Sequence, residues 1–198
     1  MKRRTTVLAA LGSTLAAFSL AQVPTTTSTD MPARPAAPAP SGVPATGFRA
    51  EYIAEVDSVG KKVVELAEAI PADKYGWRPA EGVRSISEVF MHIVGANYFL
   101  PSFLGAKLPE GLSRDSEKTI KDKPKVVELL KKSLENAKEA GTIVSDANLD
   151  RKVKVFGGRE MTQRQVLMVI LNHLHEHLGQ AIAYARVNGT APPWSRSE

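Results

Sequence analysis

Residues 162–189 read TQRQVLMVILNHLHEHLGQAIAYARVNG, and this stretch decides the fold. Thr162 and Gln165 form a capping-box pair, and Met161 and Val166 stand where a hydrophobic staple would close over it. Gly189 suits a left-handed C-cap and Pro192-Pro193 follow at once, so one helix is predicted from Thr162 to about Asn188. At about 100° per residue, His173 and His177 lie about 40° apart, on the face that carries Val166, Ile170, Gln180 and Tyr184. His175 projects to nearly the opposite side, beside Arg164, Met168 and Arg186, and reads as a surface residue. Leu171, Leu178 and Ile182 extend the apolar character beyond the histidine face. Deeper burial, or a partner such as a second copy of the chain, is expected there.

Working outward, three more helices are legible. Phe48, Tyr52, Val56, Val59, Val63, Leu66 and Ile70 step by three or four until Pro71. Ser85 and Glu88 form a second capping box, opening a helix with Ile86, Val89, Phe90, Ile93 and Asn97 on one stripe, which Pro101 ends or kinks. A polar connection runs to about Lys123. Beyond it Val126, Val127, Leu130, Leu134, Ala137 and Val144 line one side of a third helix. Residues 146–159 read as a loop, with Lys152–Phe156 as a brief strand. Four amphipathic helices over residues 48–198 predict an all-α four-helix bundle.

The chain has four histidines, and three fall within five residues of the last helix: His173, His175 and His177. Side chains four apart on a helix stand about 5–6 Å apart at Cβ, close enough for two imidazoles to reach one ion. His92, at the edge of the second helix's stripe, could complete a three-nitrogen site across the bundle. On spacing alone a pair of hydrogen-bonded core histidines explains the pattern as well as a metal does, although burying two unpartnered imidazoles costs a few kcal/mol. The segment also satisfies the H-x-x-E-H pattern of inverted zinc peptidases, with Glu176 as base. Those enzymes resemble this chain no further, because the acidic ligand they need downstream has no counterpart except Glu198.

Residues 1–47 carry no such chemistry. Lys2-Arg3-Arg4, the apolar run Val7–Leu20 and the small residues Ser19 and Ala21 predict a signal peptide cleaved after Ala21, for Sec rather than twin-arginine export. Residues 22–47 are rich in Pro, Thr and Ala and read as a disordered linker. The formal charge of +5 shrinks without the signal to 23 basic against 21 acidic residues, a net +2. So small and dispersed an excess argues against a nucleic-acid surface. With no cysteine, thiolate ligands, disulfides and a lipid anchor on Cys are excluded. A periplasmic or secreted protein, without membrane attachment once the signal is cleaved, is expected.

Several segments resemble one family. Residues 69–79 (AIPADKYGWRP), Gly82-Val83-Arg84-Ser85 and residues 91–97 (MHIVGAN) are similar to the first half of the DinB-like superfamily, the DNA-damage-inducible four-helix-bundle family rather than the polymerase of that name. His173, His177, Gly179-Gln180, Tyr184, Arg186, Asn188-Gly189 and Pro192-Pro193-Trp194-Ser195 resemble its second half. The resemblance implies one divalent metal held by His92, His173 and His177. Three imidazoles suit zinc, nickel, copper or iron(II) alike. It also implies thiol-dependent S-transferases and isomerases, or metal-dependent hydrolases, acting on a small molecule. Export favours hydrolysis, since the thiols concerned are cytoplasmic, and leaves a non-catalytic metal-binding or stress-related module of the cell envelope as the alternative. Asn97 and Gln180 are expected either to brace the ligand imidazoles or to join helices by ordinary hydrogen bonds. Trp77 and Trp194 are expected to pack, and Glu176 to be a base or a solvated rim residue.

Overall fold

Amphipathic stripes with capped ends need one another to bury their apolar faces, and the described chain is accordingly a bundle. The computed structural model describes residue 42 and residues 44–195. The expected signal segment 1–21 and most of the expected linker 22–47 lie outside the described residues. Four long helices, α1 (Phe48–Ala69), α2 (Ile86–Ser102), α4 (Lys123–Ile143) and α5 (Gln163–Val187), are joined by a single-turn helix α3 (Ser116–Thr119) and an antiparallel hairpin, β1 (Lys152–Val155) with β2 (Arg159–Thr162). Both α1 and α2 pack against α4 and against α5, so α1 and α2 face each other diagonally across the bundle. This ordering puts α2 next to α5, the two helices that carry the predicted histidines.

The caps are those the sequence specifies. Ser85 Oγ accepts from the Glu88 amide at 3.3 Å, and Glu88 Oε2 accepts from the Ser85 amide at 2.8 Å. Glu88 Oε1 also takes Arg78 at 2.9 Å, which ties the α1–α2 connection to the start of α2. Thr162 and Gln165 make the same reciprocal pair at the start of α5. Lys123 Nζ donates to the carbonyls of Glu68 and Ile70, both at 2.7 Å, so the first residue of α4 closes the open end of α1. Pro101 sits in the last turn of α2, which ends one residue later.

Two details differ from the sequence reading. The hairpin's second strand, Arg159–Thr162, falls partly where the sequence reads as loop; it pairs with Lys152–Val155 although both strands have only four residues and the second is mostly polar. Ser116–Thr119 is helical inside the expected polar connection, and one turn is too short to show a period. Leu178 is buried and Leu171 and Ile182 partly so, packing against the core as the deeper-burial reading of α5 requires. Among the described residues no helix is long and apolar enough to cross a membrane.

Helices α1 and α4 approach closely at Gly141, where an added Cβ would lie 2.7 Å from Ile53 Cγ1 and 2.8 Å from Tyr52 Cδ1. Tyr52 cannot swing aside freely, since its hydroxyl donates to the Ala137 carbonyl at 2.7 Å. At Gly179 on the exposed face of α5 an added Cβ meets nothing within 4 Å. Chemical denaturation should therefore separate two identical changes. Gly179→Ala raises stability by about 0.5–1 kcal/mol through helix propensity. Gly141→Ala lowers it, because overpacking of about 1–3 kcal/mol outweighs the same gain. Equal effects at the two sites would contradict the close approach.

Candidate metal centre

His92 lies near the middle of α2, and His173 and His177 stand one turn apart on α5, so the seam between these helices brings the three together. Their candidate ligand nitrogens all lie within 4.8 Å of one another. The ring centroids are 5.0 Å apart for His92 and His173, 4.6 Å for His92 and His177, and 4.3 Å for His173 and His177. His177 is buried and the other two are half-buried. His175 is exposed and turns back to the Leu171 carbonyl at 3.0 Å, as its helical position predicts.

The hydrogen bonds fix which nitrogens face inward. An ionised carboxylate only accepts, so the 2.9 Å contact between His92 Nδ1 and Glu117 Oε2 places the imidazole proton on Nδ1. The other oxygen of Glu117 accepts from Arg84 Nε at 2.6 Å. On α5, His177 Nδ1 donates to Gln180 Oε1 at 2.9 Å, and Gln180 Nε2 donates to the Tyr184 hydroxyl at 3.1 Å. Both rings are thereby left with Nε2 as the lone-pair nitrogen. His92 Nε2 lies 3.1 Å from His173 Nε2, while His173 Nδ1 is buried without a hydrogen-bond partner.

Electrostatics disfavour protonation of His173 and His92. Burial pushes the His173 imidazole down to about 4, and the neighbouring His177, His92 and Arg84 add to the effect. Burial also lowers His92, with Arg84 and His177 acting the same way, and the bond to Glu117 only partly offsets them. Glu117 is itself held below the ordinary carboxylate range: burial would raise it, but the hydrogen bonds from Arg84 and His92 prevail. Three imidazoles, at least two of them with Nε2 free of a proton, are the donor set a divalent transition metal takes, so the residues fit such an ion.

Of the other residues singled out in the sequence, Gln180 braces a histidine and Asn97 does not. Asn97 is buried against α4, where Nδ2 donates to Ser133 Oγ at 3.1 Å and its carbonyl accepts from Asn136 Nδ2 at 2.8 Å. Glu176 is exposed. Trp77 packs edge-on to Tyr184 at 5.4 Å, and Trp194 packs against the core. Sequence reasoning missed Glu117 and the role of Arg84. Glu117 stands on the single turn α3, twenty-five residues from His92, and no helical period marks it.

Beside the histidines opens a pocket of about 580 Å³, lined by His92, His173, Arg84 and Glu117 at one end and by side chains of α2, the 108–114 loop and the hairpin turn elsewhere.

Two measurements check this geometry. In the metal-free protein, NMR should show His173 titrating near 4 instead of 6.5. Because the unfolded chain takes up that proton at higher pH than the folded one, stability should fall as pH drops from 6.5 towards 4. His173→Asn should flatten the decline, and a His173 titration at the ordinary value would contradict the burial. Separately, Glu117→Gln should weaken zinc affinity by about 10–100-fold with the fold intact, the usual loss when the group behind a ligand histidine is changed.

The chain matches the DinB superfamily over residues 55–181. The uncharacterized protein YjoA of Bacillus subtilis (strain 168) is 27% identical over 127 residues, which cover 63% of this chain and 80% of YjoA. The crystal structure of YjoA, titled a DinB-like protein, aligns with a TM-score of 0.57 at 26% identity, covering 71% of this chain and 93% of that one. A DinB-like protein from Bacillus cereus ATCC 10987 shares the fold with a TM-score of 0.63 at 22% identity, covering 72% of this chain and 93% of that one. The four-helix bundle and the extent of the match together establish that this chain belongs to the DinB superfamily.

Proposed function

We propose that this chain is an exported metalloprotein that holds one divalent transition metal through His92, His173 and His177 and uses it to hydrolyse, or transfer a group on, a small molecule. The observation that carries the reading is the inward convergence of the imidazoles while Glu117 and Gln180 hold Nδ1 of His92 and His177. A divalent ion bound there would supply Lewis acidity, enough in zinc enzymes to bring the pKa of a coordinated water to about 7.

The protein's own contributions are positional. Glu117 and Gln180 fix the tautomers of His92 and His177. Arg84 keeps Glu117 ionised and oriented. Apolar side chains, Phe99, Leu108 and Phe156 among them, wall part of the pocket beside the site. Hydrolysis is favoured over thiol transfer because the basic residues 2–4 and the apolar run Val7–Leu20 direct the chain away from the compartment that supplies low-molecular-weight thiols. The same segment supports a periplasmic or secreted location.

A second reading has its own observation. Glu117 is the one acidic residue lining the pocket, and both its oxygens are engaged, so no carboxylate there is free to act as a base. A non-catalytic metal-binding module of the envelope fits that fact.

The test begins with metal content by mass spectrometry on protein purified without a His-tag, beside a His173→Ala/His177→Ala variant. Near-stoichiometric metal in the parent and its loss in the variant are expected. The loaded parent should then turn over members of an ester, amide and thiol-conjugate panel. Tight metal without any turnover would favour the module, and a parent that stays metal-free with zinc and nickel would overturn both readings.

A further inference from the structure

Five large apolar side chains are exposed among the described residues: Phe99, Leu108, Phe156, Met168 and Val187. Three of them, Phe99, Leu108 and Phe156, line the pocket beside the histidines. They come from α2, from the loop before α3 and from the hairpin turn, so no single helix stripe explains their exposure. Phe99 and Phe156 stand 6.0 Å apart between ring centroids, with Phe103 at 5.1 Å from each. Aromatic side chains gathered at the mouth of a concave site are characteristic of a surface that a ligand covers.

The charged lining is unbalanced. Glu117 is the sole acidic group, and it is spent on Arg84 Nε and on His92. Among the described residues Arg84, which lines the pocket, is engaged through Nε alone, so its two terminal amino groups are without a hydrogen-bond partner there. Arg114 lines the same pocket, is exposed, and has no ion pair or side-chain hydrogen bond among the described residues. The cavity, about 580 Å³, is of the size that takes a small organic molecule.

We propose that this pocket binds a small carboxylate with an apolar, aromatic or branched body, its acid group on Arg114 and the free edge of Arg84, its body against Phe99, Leu108 and Phe156. The inference rests on the small-molecule reading given above and narrows it. Guanidinium groups pair with planar carboxylates through parallel N–H donors. A cationic ligand would meet two guanidiniums with no carboxylate to spare. A neutral one would gain a hydrogen bond at most, without the charge pairing.

The test is an NMR titration of the full chain with phenylbutanoate, phenylbutanol and phenylbutylamine, three probes with one body and different charge. It is made first on EDTA-treated protein, so that no metal can itself attract the carboxylate. Phenylbutanoate should bind about fivefold more tightly than the alcohol, the scale of one solvent-exposed charge pair, and the amine more weakly than either. Arg114→Gln should erase the preference and Arg114→Lys restore part of it. Phe156→Ala should weaken the acid and the alcohol alike. Binding of the amine as tight as that of the acid, a preference indifferent to Arg114, or no binding of any probe would overturn the proposal. Zinc affinity measured on the same samples separates the two readings. Zinc bound with no preference among probes defeats this inference alone, whereas the preference without zinc binding defeats the metal reading and leaves this one standing.

Discussion

Imidazoles brought to a half-buried seam need partners for their nitrogens, and the α2–α5 contact supplies them for His92 and His177 while leaving His173 Nδ1 without one. The outward nitrogens of His92 and His177 donate to Glu117 and Gln180, which leaves Nε2 of each as a lone pair. Nε2 of His92 then faces Nε2 of His173 across 3.1 Å. A shared proton can join two such nitrogens, but burial, with His177, His92 and Arg84 close by, makes His173 resist protonation. A divalent cation held by the three rings would resolve the arrangement, and the supports behind His92 and His177 would then aim the rings.

The rest of the bundle is arranged so that this seam exists. With α1 and α2 diagonal, α2 gains both α4 and α5 as neighbours, and the connection from α1 must cross an end of the bundle. That connection is pinned by Tyr75, whose hydroxyl donates to the Ala67 carbonyl at 2.7 Å, and by the Arg78–Glu88 pair at 2.9 Å. It delivers Arg84 to the edge of the site immediately before the Ser85 cap. The long α2–α4 connection supplies the other half, because its one helical turn presents Glu117 to both Arg84 and His92. At the other end, buried Arg49 on α1 binds the Gly141 carbonyl at 2.8 Å and Asp146 at 3.2 Å, fixing where α4 stops.

How much of this was legible in the sequence follows from the range of each interaction. The helices were legible because caps and stripes are local, and Ser85, Glu88, Thr162 and Gln165 make the bonds their spacing predicts. The pair His173 and His177 was legible for the same reason, and the direction of His175 followed from the same arithmetic. His92 was a candidate from its place at the edge of the α2 stripe, and the resemblance to a known family made it a ligand, since nothing local says that α2 lies beside α5. Asn97 and Gln180 looked alike from the sequence, both polar on inward faces, and only the packing separates a contact with Ser133 from one with His177. Glu117 was illegible. It lies on one turn within an irregular connection, and its role depends on two residues, thirty-three and twenty-five positions away.

The central claim, that the three imidazoles would hold one metal beside the pocket, is tested most directly by X-ray absorption on the zinc-loaded protein. Fine-structure analysis should find three imidazole ligands completed by light oxygen donors, and no imidazole-bound zinc in a His173→Ala/His177→Ala variant. A spectrum with no imidazole scattering, or with identical imidazole scattering in parent and variant, would place the metal elsewhere and contradict the account.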